Sequence, residues 1–236
     1  LGDVYKRQGF DQRTKYHAFD VYEHVARVLT VAGELSSFRI DGGDPHVPVS
    51  LSLMWAALLH DIAKPVCFTQ DEAGRGHFYG HPERGAEVAR EIMQRLACNN
   101  DLIRDVCLLI RYHDKPLRPE RVDLLRMMQA FSGEGVDTPR LMGELFDLKR
   151  ADTLGKAPMC FYYVEEIERM RERTRELLAN GEAYSIRTLD LTGGDLIAAG
   201  MTPGPRVGEA LKRALKATIV GKVPNKRADL LAYVGL

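Results

Sequence analysis

The sequence has no excess of either charge: 33 Lys and Arg are matched by 33 Asp and Glu over 236 residues. No global field therefore draws the chain to nucleic acid or to a membrane, and any such affinity must be a local patch. Long hydrophobic runs are missing as well. No apolar stretch approaches the roughly 20 residues of a membrane span, and no secretory signal is visible. Cysteine is sparse, and Cys67, Cys98, Cys107 and Cys160 lack metal-knuckle spacing. That usage suits reduced thiols in the cytoplasm. Strand-like alternation is also absent, which removes the β classes and leaves an all-α expectation.

What is present is 45% apolar and 28% charged sequence, enough for a real core in one large or two small domains. The first eight residues, Leu1 to Gln8, fit nothing downstream. They resemble translated sequencing-adapter read-through, and the chain lacks an initiator Met. This leader is set aside, and a truncated gene product is expected.

Helical stripes follow. Phe19, Val21, Val25, Val28 and Leu29 predict a helix over about 18–33, and a loop rich in Gly, Asp and Pro covers 34–48. Leu51 to Leu59 is apolar nearly all round and predicts a buried helix over about 49–62. A Gly-rich loop runs from Pro65 to Gly80, and Pro82 opens a helix over about 82–97. Asp101 is the expected N-cap of the next helix, which stops near Pro116. Pro119 and Pro139 each open one more, and a charged helix of about 158–180 ends at Asn180-Gly181. A composition shift near 181–186 marks an expected boundary, followed by short helices and a helix of about 205–220.

Four interior positions carry polar groups. His60-Asp61 ends the apolar helix and is followed by Lys64-Pro65. His24 sits between Val21 and Val28 on its stripe, and His113 follows Val106 and Ile110 on its own. Asp152 continues the progression Leu141, Leu145, Leu148. Singly, each such group is most often satisfied by a core hydrogen bond. Together they place imidazoles and carboxylates on inward faces of separate helices, the way helical bundles build metal sites. A divalent ion offsets the cost of burying them. His81 and His113 could serve a second metal or bind phosphate. His17, on the His24 face, reads as a supporting residue or a helix start; His77 can reach the site through the Gly-rich loop, and His46 reads as exposed.

The set His24, His60-Asp61 and Asp152 resembles the metal signature of the HD-domain phosphohydrolase superfamily, an all-helical fold. The surrounding text is more specific. Tyr16-His17-Ala18-Phe19-Asp20-Val21-Tyr22-Glu23-His24, Leu59-His60-Asp61-Ile62-Ala63-Lys64-Pro65 and Gly76-His77-Phe78-Tyr79-Gly80-His81 look like the HD half of bacterial CCA-adding tRNA nucleotidyltransferases and poly(A) polymerases. Arg111-Tyr112-His113-Asp114 and Leu148-Lys149-Arg150-Ala151-Asp152 continue the match in order. Leu191-Thr192-Gly193-Gly194-Asp195-Leu196-Ile197, Pro203-Gly204-Pro205-Arg206-Val207-Gly208 and Val223-Pro224-Asn225 resemble that family's tRNA-contacting tail. The resemblance covers about residues 12–236 and implies an HD-domain helical bundle over 9–182 with a C-terminal tRNA-contacting module over 183–236. The family's Gly-Ser turn and paired Asp-x-Asp for magnesium are missing, and Asp41-Gly42-Gly43-Asp44 is a loop without them. Nucleotide addition is not expected from this chain alone.

The leading expectation is metal-dependent phosphoester hydrolysis. His24, His60, Asp61 and Asp152 would hold one ion, His81 and His113 would complete a second position, and Lys64 would steady phosphate charge. The resemblance implies nucleotide-type phosphomonoesters or 2′,3′-cyclic phosphates, with Mn, Ni, Co or Mg. Mixed imidazole and carboxylate ligands argue against Mg as the tightest binder. The alternative is a non-catalytic tRNA-binding body. Residues 201–236 carry seven basic side chains, including Arg206, Lys212, Arg213 and Lys216, against Glu209 and Asp229. Such a patch on a neutral chain suits phosphate contacts, although a solvated helix face is the usual fate of a charge run.

Overall fold

The computed structural model describes residues 7–14, 18–35, 50–133 and 135–236. His17, His46, the Asp41–Asp44 loop and residues 1–6 of the expected leader lie outside the described residues. Arg7, from the same leader, is buried and donates from Nη1 to the Leu58 carbonyl at 2.8 Å.

The fold is all-α, as the periodicity predicts. The chain divides into two compact units. The first comprises Leu1–Pro116 with Arg140–Glu168. Its helices are α1 (Val21–Leu35), α2 (Leu51–Leu59), the short α3 (Lys64–Cys67), α4 (His81–Arg95) and α5 (Asn100–Tyr112), joined by most of α7 (Thr138–Gly155). Helix α2 packs against both α1 and α5, and α5 packs against α4. Val21, Val25, Val28, Leu53, Ala56, Leu59, Ile110, Leu141, Leu145 and Leu148 fill the interior. The stripes read in the sequence are therefore the packed faces, and each large side chain buried there contributes about 1.5–3 kcal/mol.

Several boundaries differ from expectation, each for a local reason. Asn99, not Asp101, caps α5, because its Oδ1 accepts the Leu102 amide at 2.7 Å. Asp101 instead accepts from Arg104 Nη1 at 2.8 Å. Helix α2 is shorter than the 49–62 estimate: Ser50 caps it, the α-helix closes at Leu59 with His60 as its C-cap, and Asp61 lies in the turn that follows. Nor is α2 buried all round, since Leu51 is 66% exposed. Pro119 precedes its helix, α6 (Arg121–Phe131), by two residues.

The Gly-rich loop holds a two-stranded antiparallel hairpin, β1 (Thr69–Gln70) with β2 (Gly76–His77), that alternation over two residues could not reveal. Asp71 organises it: Oδ1 accepts the Ala73 and Arg75 amides at 3.0 and 2.9 Å, and Oδ2 accepts Arg75 Nε at 2.9 Å. The Arg75 amide is the largest influence holding the Asp71 carboxyl down at about 2. A depressed carboxyl stabilises the hairpin above its unfolded value near pH 3.9 and loses that contribution as pH falls through about 2. A carboxyl-carbon NMR titration should therefore give Asp71 a midpoint near 2, and a midpoint near 3.9 would contradict the geometry.

The second unit comprises Leu117–Pro139 with Arg169–Leu236. It holds α6, the latter part of α8 (Tyr163–Ala179), α9 (Gly193–Ala198), α10 (Pro205–Ile219) and α11 (Arg227–Val234). Arg121 forks onto Glu182, with Nε to Oε1 at 2.9 Å and Nη2 to Oε2 at 2.5 Å. The same guanidinium donates to the Thr218 and Ile219 carbonyls at the end of α10, at 3.1 and 2.8 Å. A cation suits that helix terminus. Among the described residues, no helix is long and apolar enough to cross a membrane.

Candidate metal centre

The turn after α2 delivers His60 and Asp61 to the interior of the first unit, where α1, α4, α5 and α7 bring the rest. His24 Nε2 lies 3.1 Å from Asp152 Oδ1, 3.5 Å from Asp61 Oδ2 and 3.4 Å from His60 Nε2. His60 Nε2 lies 3.2 Å from Asp61 Oδ2 and 3.7 Å from Asp152 Oδ1. The other Asp61 oxygen faces a second group: Oδ1 is 3.5 Å from His81 Nε2 and 3.8 Å from His113 Nε2, and those two nitrogens are 3.4 Å apart. The structure thus brings together all six sequence-predicted His and Asp residues, with Asp61 shared between two clusters.

Backbone carbonyls decide what these rings can do. Nδ1 of His24, His60, His81 and His113 donates to the carbonyls of Gly155, Ala57, Phe78 and Ile110 at 3.1, 2.9, 2.8 and 2.6 Å. With the proton held on Nδ1, every neutral ring turns a bare Nε2 lone pair inward. Facing lone pairs repel, and they cannot hydrogen-bond one another. Asp61 Oδ1 is buried without a hydrogen-bond partner among the described residues, while Oδ2 faces the Lys64 ammonium at 2.8 Å. Four inward lone pairs and two carboxylates outnumber the donors that Lys64 and Lys156 bring, and such an excess of buried acceptors is costly unless a further cation sits among them.

Charge tuning points the same way. Burial pushes the His60 ring below its ordinary value, against the pull of Asp61, and burial likewise pushes His81 down to about 4. Burial alone would raise the Asp61 carboxyl, but the facing His60 ring and the Lys64 ammonium outweigh it and hold Asp61 well below the carboxylate range. Asp152 is also held low: Lys156 and then His24 override its burial. Neutral imidazoles with ionised carboxylates are the protonation states that divalent metals bind.

The spacing fits as well. Two ligand atoms each about 2.1 Å from one ion stand roughly 3.0–3.4 Å apart at octahedral or tetrahedral angles. The observed separations of 3.1–3.8 Å lie at or just above that range. Either cluster can therefore hold a divalent metal with little contraction.

Two residues near the cluster escaped sequence reasoning. Lys156 donates to Asp152 Oδ2 at 2.5 Å, leaving Oδ1 for the His24 and His60 side. Its spacing of four from Asp152 was the available signal. Gly155 brings the end of α7 against His24, and a Cβ there would lie 2.8 Å from Val28 Cγ2 and 3.2 Å from His24 Nδ1. Nothing in the sequence announces that approach. Lys64, expected to steady phosphate, is buried, with Nζ 2.8 Å from Asp61 Oδ2 and donating to Gln12 Oε1 at 2.7 Å. A cavity of about 730 Å³ is lined by Asp61, Asp152, His81 and His113 together with Lys64 and Lys156.

The HD-domain family pattern matches residues 21–155, the span that supplies all six of these His and Asp residues. The chain belongs to the HD-domain family. Among curated relatives, it is 29% identical over 225 residues to an A-adding tRNA nucleotidyltransferase of Deinococcus radiodurans, covering 94% of this chain and 48% of the relative. It is 34% identical over 196 residues to a CC-adding tRNA nucleotidyltransferase of Thermus thermophilus, covering 81% and 42%. A CCA-adding enzyme of Levilactobacillus brevis is 39% identical over 66 residues, 27% of this chain and 17% of that one. The chain thus spans less than half the length of these relatives. The HD domain of this chain is related to tRNA nucleotidyltransferases, and its His–Asp clusters are able to hold metal.

The basic residues singled out in the sequence lie on α10 in the second unit. Arg206, Lys212, Arg213 and Lys216 are exposed, while Ala210, Leu211, Ala214, Leu215 and Ile219 turn inward. Arg213 is partly committed locally, because Nη2 donates to the Val234 carbonyl at 3.0 Å.

Proposed function

We propose that the chain carries a divalent-metal phosphohydrolase centre acting on nucleotide or RNA-end phosphoesters, either phosphomonoesters or 2′,3′-cyclic phosphates. On this reading it is the C-terminal part of a cytoplasmic tRNA nucleotidyltransferase-like protein, with 9–182 as the HD bundle and 183–236 as the tRNA-contacting module. One observation carries the proposal: four inward-facing imidazole Nε2 atoms converge with the carboxylates of Asp61 and Asp152 in a buried site, where Asp61 Oδ1 finds no hydrogen-bond donor among the described residues.

His24, His60, Asp61 and Asp152 would hold one ion, and Asp61, His81 and His113 a second. When bound, divalent metal supplies a hydroxide near neutral pH and polarises a phosphoryl oxygen. The mixed ligand set favours Mn, Co or Ni over Mg. The carbonyls of Gly155, Ala57, Phe78 and Ile110 keep the histidines oriented with Nε2 inward. Lys156 fixes Asp152 and adds positive charge to the cavity wall. Lys64 offsets the Asp61 charge and contributes a point cation for phosphate. The test is release of nitrophenolate from bis(p-nitrophenyl) phosphate, or of phosphate from nucleotides, with Mn or Ni. No turnover with any of the four metals would end this reading.

A second reading, a tRNA-binding helical body, is favoured by the exposed basic face of α10. Lys212, Arg213 and Lys216 lie within one and a half turns on that face, and phosphate contacts of this kind weaken steeply with salt. A gel shift with tRNA should lose affinity when these three are neutralised, and its dependence on salt should flatten by up to about three phosphate contacts. Unchanged binding would remove α10 from the account. Both roles fit one polypeptide.

A further inference from the structure

The turn that follows the hairpin carries an exposed aromatic ring that packing does not explain. Tyr79 is 79% exposed. Scattered surface aromatics are ordinary, but this one is held in place. Its ring stacks on His77 at 5.3 Å between centroids with planes 6° apart. Its hydroxyl donates to His77 Nδ1 at 3.3 Å, and His77 Nε2 donates to Asp71 Oδ2 at 3.3 Å. Asp71 is in turn fixed by the amides of Ala73 and Arg75.

The chain on either side is anchored too. Phe78 packs on Phe68 at 5.6 Å and on Phe10 at 6.4 Å, and its carbonyl receives the Nδ1 proton of His81. His77 and Tyr79 line the same cavity as Asp61, His81 and His113. One end of that cavity wall is therefore a set of phosphate-suited groups, and another part is a rigid ring with one face on His77 and the other open to solvent.

We propose that Tyr79, backed by His77, is a stacking platform for the nucleobase of the substrate, making it a specificity-determining residue that favours nucleosidic over base-less phosphoesters. The proposal rests on the phosphohydrolase reading for what occupies the rest of the cavity. Stacking recognises the π-face that every base has, so the platform selects for a base without choosing among bases by hydrogen bonds. Purines, with the larger face, should gain most.

The experiment is calorimetric titration of the 236-residue chain, loaded with Mn, by AMP and by ribose 5-phosphate, which differ in the presence of the base. Wild type should bind AMP on the order of tenfold tighter or more. Tyr79→Ala should bring AMP to the ribose 5-phosphate level, and Tyr79→Phe, which keeps the ring without the hydroxyl, should retain the gain. Equal affinities in wild type, or a gain that survives in Tyr79→Ala, overturns the proposal. Turnover of bis(p-nitrophenyl) phosphate on the same preparations separates the two ideas. Turnover without any base-dependent gain overturns the platform alone. A Tyr79-dependent gain without turnover supports the platform and overturns the hydrolase reading.

Discussion

Asp61→Ala should abolish metal-dependent phosphoester hydrolysis, leaving less than about one part in a thousand of wild-type turnover. The expectation follows from its place between the clusters. Oδ2 faces His24 and His60, and Oδ1 faces His81 and His113, so one truncation removes a ligand from both sets. A metal's charge stabilisation is worth several kcal/mol in the transition state, and about 4 kcal/mol corresponds to a thousandfold in rate. Asp61→Asn tests the same point with the shape preserved, because an amide keeps one weak oxygen ligand and loses the bridging charge. It should retain the fold by circular dichroism while losing most activity. Turnover within tenfold of wild type in folded Asp61→Asn would contradict the bridging role.

The second large effect is expected from a residue without a functional group. Gly155→Ala places a methyl 2.8 Å from Val28 Cγ2 and 3.2 Å from His24 Nδ1, in a region with no spare volume. Overpacking of this kind costs about 1–3 kcal/mol. It also disturbs the Gly155 carbonyl that holds the Nδ1 proton of His24 at 3.1 Å. Loss of such an orienting partner lowers metal affinity about 10–100-fold. Thermal denaturation with and without Mn separates the two effects: the variant should melt lower in EDTA and gain less from added metal. Wild-type melting and wild-type metal gain would show that α1 and α7 have room there.

These two residues mark what is legible in a sequence like this one. Asp61, His24 and Asp152 stand out because each interrupts an apolar stripe of known period, and a stripe fixes which way a side chain points. The same logic exposed His113 on α5. The close approach at Gly155 has no periodic signature, because it depends on two helices far apart in sequence. Lys156 carries no signal of its own in the sequence beyond its spacing of four from Asp152, since its partner oxygen is defined only once Asp152 is turned inward. The α5 start was misplaced by two residues because Asn99, Asn100 and Asp101 are all competent caps, and only backbone geometry selects one. The hairpin was invisible because its strands are two residues long, yet its second strand leads directly to the Tyr79 ring that lines the cavity beside the His–Asp cluster.

Metal stoichiometry tests the central claim most directly. Equilibrium dialysis against Mn, followed by elemental analysis, should give two ions per wild-type chain at saturation. His81→Ala and His113→Ala should each leave one, and Asp61→Ala should bind neither with wild-type affinity. Two tightly bound ions in folded Asp61→Ala, or none in wild type, would contradict a centre built around that carboxylate.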